Sequence, residues 1–235
     1  VLAHIDELKL TFKNIFYLLK DDGYLCFEIG YFKNVLESGF FDTIYHEHLD
    51  YHHAFPLIKY LNSIGFKIVK INLNKVQGGS LRILAKKNKL KNLISSSAAN
   101  FLDLEKKSKI YDQKFLKLWE HKVKSNMNFF SEKLLFYHKS GFNILGYGAP
   151  TKAVLLLKIA KIPKNIIDFI IEDNSLKVGK FLPYYGTEIR SINDFKIKKK
   201  TIITILAWNF QEDIILKIKK LGYKNIKIII PLPEY

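Results

Sequence analysis

Between Phe41 and Tyr51 the chain reads Phe-Asp-Thr-Ile-Tyr-His-Glu-His-Leu-Asp-Tyr. A phenol, a carboxylate and two imidazoles therefore stand on four consecutive residues, Tyr45, His46, Glu47 and His48. Each can move a proton near neutral pH once its surroundings tune it. His52 and His53 follow closely, so five of the seven histidines lie between His4 and His53. A solvated face has no reason to concentrate so scarce a residue, which points to proton transfer or metal binding. Spacing alone leaves both open, together with plain packing. His48 and His52 are four apart, as two ligands on one helix face would be. The metalloprotease order His-Glu-x-x-His is absent, because Glu47 is followed by His48-Leu49-Asp50-Tyr51-His52.

A second stretch, Gly146-Tyr147-Gly148-Ala149-Pro150-Thr151-Lys152, reads as a tight turn between a strand and a helix. Glycines there would let the backbone approach a ligand, free amides at the helix start would favour an anion, and Lys152 adds positive charge. It is neither the dinucleotide fingerprint nor a P-loop, and tight chain reversal is the competing explanation. Asn209 follows a predicted strand, where α/β sheets present ligand-binding groups, but asparagine also serves as a helix N-cap. Asp173 could accept from a sugar or base hydroxyl, or cap a turn. Gly78-Gly79-Ser80-Leu81-Arg82 could be an ordinary hairpin loop, in which Arg82 stands out as one of two arginines in the chain.

These groups need a scaffold, and the hydrophobic pattern supplies one. Apolar residues at helical spacing over 4–19 stop at Asp21-Asp22-Gly23, and Tyr24 to Ile29 reads as a buried strand ended by Gly30. The Tyr-His-Glu-His segment falls on a loop or a helix start. Phe55 to Ile64 is helical, and Lys67 to Leu73 and Ser80 to Ala85 are strands joined through Asn74-Lys75 and Gly78-Gly79. Lys89 to about Ser140 is lysine-rich with a helical period, predicting one long helix or two that bridge two domains. From Gly141, strands at Phe142–Tyr147, Ile166–Ile171, Thr201–Ala207 and Ile226–Ile230 alternate with helices. That alternation predicts a parallel sheet with ligands at its carboxyl edge.

Composition narrows the function classes. The 235 residues are 48% hydrophobic, ample for a packed core. No run of eighteen apolar residues occurs, so no membrane span is expected. The single cysteine, Cys26, excludes an internal disulfide and a cysteine-based zinc cage, and the expectation is cytoplasmic. The net charge of +16 invites nucleic acid, but nearly all of it comes from scattered lysines, apart from a run at Lys198, Lys199 and Lys200. Base readers and phosphate clamps rely on the arginine fork, so no nucleic-acid partner is expected. The charge suits an anionic metabolite.

Taken together the motifs resemble the sugar C-methyltransferase family, enzymes that use S-adenosylmethionine to methylate a ring carbon of nucleotide-linked ketosugars. The resemblance is carried by Val1-Leu-Ala-His4, Phe41 to Leu49, Gly78 to Arg82, Gly146 to Lys152, Lys177-x-Gly179, Ala207-Trp-Asn-Phe210 and Pro231-Leu-Pro-Glu234. It implies an α/β fold in three parts. These are the second half of a class I, Rossmann-like methyltransferase domain over 1–88, a helical linker over 89–140, and a nucleotide-sugar-binding parallel-sheet domain over 141–235. It implies His48 as general base, with Glu47, Tyr45 and His4 orienting the sugar or stabilising an enolate. Gly146, Tyr147, Gly148, Ala149, Lys152, Asn209 and Arg82 are the implied substrate-binding residues. The implied substrate is a nucleotide-diphosphate ketosugar, and no metal is expected in this chain. The family's cysteine-rich zinc module and its cofactor-holding glycine-rich loop do not occur in the sequence. Family members also carry Pro-Gly where this chain has Pro183-Tyr184. The chain is thus expected to be a fragment or truncated form. Two alternatives are a nucleotide-sugar-binding remnant, or subunit completing an enzyme with a separate N-terminal polypeptide or oligomer, and a metal-dependent hydrolase or isomerase using the histidine cluster.

Overall fold

The computed structural model describes residues 1–74, 78–88, 94–194, 200–222 and 226–232. Lys75, Lys89, Lys198, Lys199 and the Pro233-Glu234 end of the last motif lie outside the described residues. Two compact units, Val1–Trp119 and Glu120–Tyr235, divide the chain. The boundary falls within a 27-residue helix, α5 (Gln113–Lys139). Where the period predicted one helix or two after Lys89, there are two: α4 (Ser96–Lys107) and α5, separated by a 3-10 turn at Lys109–Tyr111.

The first unit begins with a 3-10 turn at Leu2–His4, followed by α1 (Leu8–Leu18), β1 (Tyr24–Gly30) and α2 (Phe32–Ser38). After a short 3-10 turn at Phe41–Thr43 come α3 (Ala54–Ser63), β2 (Phe66–Asn74), β3 (Ser80–Lys87) and α4. α1 starts four residues later than the spacing suggested, with Phe12 fully buried on its inner face. It ends as Leu19 turns extended, and Asp22 then adopts a left-handed φ of 61°, which a short polar side chain tolerates. The sheet has the order β1-β3-β2 and is antiparallel throughout. Central β3 shows strict alternation: Leu81, Ile83 and Ala85 are fully buried, whereas Arg82 between them is exposed. The apolar face packs against Leu57, Ile58 and Leu61 of α3 and Ala98 and Leu102 of α4. Each such side chain contributes about 1.5–3 kcal/mol by leaving water.

One buried carboxylate ties these pieces together. Glu105 of α4 is only 1% exposed and accepts four hydrogen bonds. Its Oε2 takes the Ala54 amide at 2.8 Å and the Tyr31 phenol at 2.6 Å. Its Oε1 takes the Phe55 amide at 2.7 Å and the Tyr111 phenol at 3.0 Å. The first turn of α3 has no cap of its own, since His53 at its N-cap makes no side-chain bond. The Glu105 carboxylate supplies that cap from elsewhere in the chain, at the positive end of the α3 dipole.

The second unit contains β4 (Asn143–Tyr147), α6 (Ala153–Ile159), β5 (Phe169–Glu172), β6 (Ile189–Ser191), β7 (Thr201–Ile205), α7 (Gln211–Lys220) and β8 (Ile226–Ile229). The five strands form a parallel sheet of order β6-β5-β4-β7-β8, the topology that alternating strands and helices predict. β6 is an additional edge strand that the hydrophobic pattern did not suggest. β5 is shorter than expected because Ile166 and Ile167 are buried ahead of the strand rather than within it. All five residues of β7 are buried, as befits an inner strand of a parallel sheet covered on both faces. Strand order reverses between β4 and β7, which places the topological switch point beside the Gly146–Lys152 turn.

Removing the Glu105 carboxylate strands two amides and two phenols, each worth about 1–3 kcal/mol when left buried and unpaired. Glu105→Ala is expected to lower unfolding stability by roughly 3 kcal/mol or more, read from the urea midpoint. A loss below 1 kcal/mol would show that the network carries little of the fold.

Candidate active site

The proton-handling residues lie on the loop that runs from the Phe41–Thr43 turn to α3. Backbone hydrogen bonds fix its path: Leu49 N–H donates to Ala3 at 2.7 Å and Phe32 N–H donates to His52 at 3.0 Å. His4 and His48, distant in sequence, are thereby brought to a ring separation of 5.0 Å, and the Tyr45 ring lies tilted at 4.6 Å from His48. Tyr45 donates its hydroxyl to Glu47 at 3.1 Å. All four residues expected at the site are thus neighbours.

The tautomer of each imidazole follows from its partner. Nδ1 of His48 lies 2.7 Å from the Thr43 carbonyl, which can only accept, so Nδ1 carries the proton and Nε2 the lone pair. The same logic applies to His4, whose Nδ1 donates to the Glu47 carbonyl at 2.7 Å. His48 is half-buried, and its Nε2 is neither bonded to a described residue nor sealed from solvent. Burial pulls the His48 pKa below its usual 6.5, against the opposing Thr43 bond and with help from the neighbouring His4 ring. The ring is therefore neutral at pH 7, with an accessible basic nitrogen. Tyr45 is shifted the other way, chiefly by burial and then by its bond to Glu47, so its phenol keeps its proton.

Three positions beyond those expected complete the arrangement. The Thr43 carbonyl sets the His48 tautomer. Tyr51 brings its ring to 6.2 Å from His48, and burial holds its phenol protonated as well. Glu105 anchors the far end of the loop at Ala54. Tyr51 lies in the quoted motif and was within reach of sequence reasoning; a backbone carbonyl and a carboxylate 51 residues away were not.

The other histidines have different surroundings. His46 is exposed. His53 packs its ring between Phe32 at 5.5 Å and Tyr111 at 4.9 Å. His52 and His53 each bury a ring nitrogen without a partner among the described residues, and burial lowers both pKa values. Among the described residues no three His, Cys, Asp or Glu side chains converge closely enough to hold an ion, so the metal alternative finds no ligand set.

Arg82 is engaged within the sheet. Its Nε and one terminal nitrogen donate to Glu28 of β1 at 3.1 and 2.8 Å, beside Ser80 and Asn74, which donate to the same carboxylate. Those bonds hold the Glu28 pKa below its ordinary value, Ser80 first and Arg82 next. The glycines of this motif are also structural: Gly79 has a φ of +126°, and a Cβ there would lie 2.1 Å from the Asn34 amide nitrogen.

Two amides of the Gly146–Lys152 turn, ahead of the helix start, are engaged within the fold. Gly148 N–H donates to Ile171 and Ala149 N–H donates to the Glu172 carboxylate, both at 2.8 Å, and Pro150 has no N–H. A carboxylate thus occupies the place at Ala149 that an anion would take. Lys177 holds the turn from the other side through the Ala149 carbonyl at 2.9 Å. Gly148 is required, since its φ is +83° and a Cβ would stand 2.4 Å from that of Ala207. Lys152 places its ammonium 4.1 Å from the Trp208 ring centre and 3.3 Å from Oδ1 of Asn209. Asn209 is not a helix cap, because α7 begins after Phe210 with no side-chain cap. Tyr147 donates to Asp173 at 3.0 Å, and Lys217 bonds the other oxygen of that carboxylate.

Comparison with known proteins agrees with the motifs. A family model for the C-methyltransferase C-terminal domain matches residues 75–233, and so covers Arg82, Glu105 and the whole parallel sheet. C-methyltransferase NovU from Streptomyces niveus is 27% identical over 232 residues, a stretch that includes the His48 loop. The match covers 99% of this chain and 55% of that protein, so the chain spans about half the length of its curated relative. No helix among the described residues is long and apolar enough to cross a membrane. On its motifs, its fold and these matches, the chain belongs to the C-methyltransferase family.

Proposed function

We propose that this chain provides the proton-abstracting loop and the sugar-nucleotide-binding unit of an enzyme that C-methylates a nucleotide-diphosphate ketosugar. The observation that carries the proposal is the His48 ring, held with Nδ1–H on Thr43 so that a neutral, accessible Nε2 faces outward. A carbon beside a ketone becomes nucleophilic when a base takes its proton and donors stabilise the enolate oxygen. His48 Nε2 is that base. Tyr45 and Tyr51, both held in the protonated form, are donors of the kind an enolate oxygen needs. His4 braces Glu47 through its backbone, and Glu47 holds the Tyr45 hydroxyl until substrate competes for it.

S-adenosylmethionine supplies an electrophilic methyl group for the carbon so activated. Residues 1–88, read as the second half of a class I methyltransferase domain, contain no glycine-rich strand-to-helix loop of the kind that cradles it, so no step is assigned to it here. Of the expected bridge over 89–140, α4 belongs to the core of the first unit and α5 is read as the link, with 141–235 as the part that binds the nucleotide sugar. In that part, Lys152 is the cation for the diphosphate, with Asn209 and the Gly146–Ala149 turn shaping the switch-point cleft. Because the Gly148 and Ala149 amides are already engaged, the side chain of Lys152 carries much of the attraction.

Deprotonation needs no methyl donor, so exchange of the sugar's α-proton with solvent deuterium tests the reading directly. His48→Asn is expected to slow exchange on the order of a hundredfold or more while leaving substrate affinity nearly intact. Undiminished exchange would remove His48 from the role of base. Since the base acts when unprotonated and its pKa is depressed, exchange should persist as pH falls past 6.5 and fade only below that value. A midpoint above 6.5 would contradict the burial argument. Lys152→Ala should weaken binding of the nucleotide-diphosphate sugar about tenfold and leave that of the free sugar unchanged. Equal losses for both would make Lys152 a structural residue.

A further inference from the structure

At the amino edge of the parallel sheet, the end opposite the switch point, a pocket of about 480 Å³ opens where α6 ends and the chain turns toward β5. Its walls are Lys158, Lys161 and Lys164, with Tyr184 and Tyr185 from the segment before β6 and an apolar floor from Ile162 and Pro163. The Lys158 and Lys164 ammonium groups lie 3.9 and 4.3 Å from the centre of the Tyr184 ring, hence no more than about 8 Å from each other. That separation is within one Debye length at physiological salt, so the two charges repel. Among the described residues none of the three lysines has a carboxylate within 4.0 Å. The Tyr184 face offsets the repulsion between Lys158 and Lys164, and at an exposed site it is worth about 0.5–1 kcal/mol.

The backbone adds an independent observation. Only three described residues other than glycine have a positive φ, and two of them, Lys161 at 54° and Tyr184 at 67°, line this pocket. Lys161 sits where glycine normally ends a helix: its N–H bonds Lys158 and the Ile162 N–H bonds Leu157, the paired bonds of a Schellman cap. Tyr184 follows Pro183 in a tight turn, again at a position that glycine fills without strain. An L-residue there costs roughly 1–2 kcal/mol. The third such residue, Asp22, is of a type that tolerates this conformation. Both turns need a left-handed residue, and at each of them a side chain that lines this pocket stands where glycine would satisfy the backbone alone.

We infer that this pocket is a binding site for a compact polyanion bearing clustered phosphate groups, separate from the switch-point cleft. Lys158 and Lys164 stand as a pair, pre-positioned on Tyr184, and Lys161 is the third cation, fixed by its left-handed backbone. The proposal does not depend on the reaction proposed above.

The test uses this chain with inorganic pyrophosphate by calorimetry, and with phosphatidylcholine vesicles containing phosphatidic acid by co-sedimentation. The Lys158→Ala/Lys164→Ala double variant is expected to weaken pyrophosphate at least tenfold and to leave nucleotide-diphosphate-sugar binding at the switch-point cleft unchanged. Tyr184→Gly carries the sharper signature: it relieves backbone strain and so raises the melting temperature, yet weakens the anion. Vesicle binding lost in the double variant, with pyrophosphate ignored by the native chain, would assign the phosphates to a lipid headgroup. Pyrophosphate and vesicle binding both insensitive to the double variant, or pyrophosphate binding lost in Lys152→Ala alone, would overturn the site. A Tyr184→Gly variant that melts lower and binds equally well would do the same.

Discussion

A carboxylate sealed from water decides how the first unit is put together. Desolvating Glu105 is unfavourable unless every lone pair it brings is used, and two amides and two phenols use them. The four donors come from β1's exit, from the start of α3 and from the turn after α4, so one residue sets the mutual positions of three segments. Tyr31 and Tyr111 respond in kind: burial first, and the adjacent carboxylate next, push both phenols well above their ordinary pKa. The His48 loop hangs between two of these fixed points, Tyr31 and Ala54, which is why a ten-residue irregular segment can hold an imidazole in one tautomer.

The second unit uses the same device for a different end. Glu172 takes the Ala149 amide with one oxygen and the Asp173 and Asn174 amides with the other, each at about 3 Å. One amide of the strand-to-helix turn, that of Ala149, is thereby satisfied from within. Lys177 and Lys217 pair with the acidic residues 172 and 173, and Lys152 stands beside Asn209. Such a surface favours a ligand with hydroxyls beside its negative charge over a bare anion.

Much of this was legible from residue order. Alternation of apolar residues fixed β3, helical spacing located α3 and α7, and strands alternating with helices implied a parallel second sheet. The concentration of imidazoles located the loop at Tyr45–His48, because composition alone makes such a cluster improbable as surface. Three things were out of reach. The Glu105 network joins positions 31, 54, 55, 105 and 111, and a lone glutamate in a lysine-rich helix looks like any solvated one. Arg82 is conspicuous by its rarity, but its partner Glu28 becomes visible only once β1 and β3 pair in register. The Gly-x-Gly turn advertises free amides, and only the fold shows Glu172 folded back onto one.

His4 and Leu49 show how the two imidazoles are brought together edge to face. His4 bonds Glu47 and Leu49 bonds Ala3, while Leu2 of the same turn packs on the hydrophobic sheet. The placement of His4 beside His48 therefore rests on two hydrogen bonds that the Glu105 network does not share. A lineage carrying this architecture could lose or retune its chemistry through changes at position 4 while leaving the scaffold untouched.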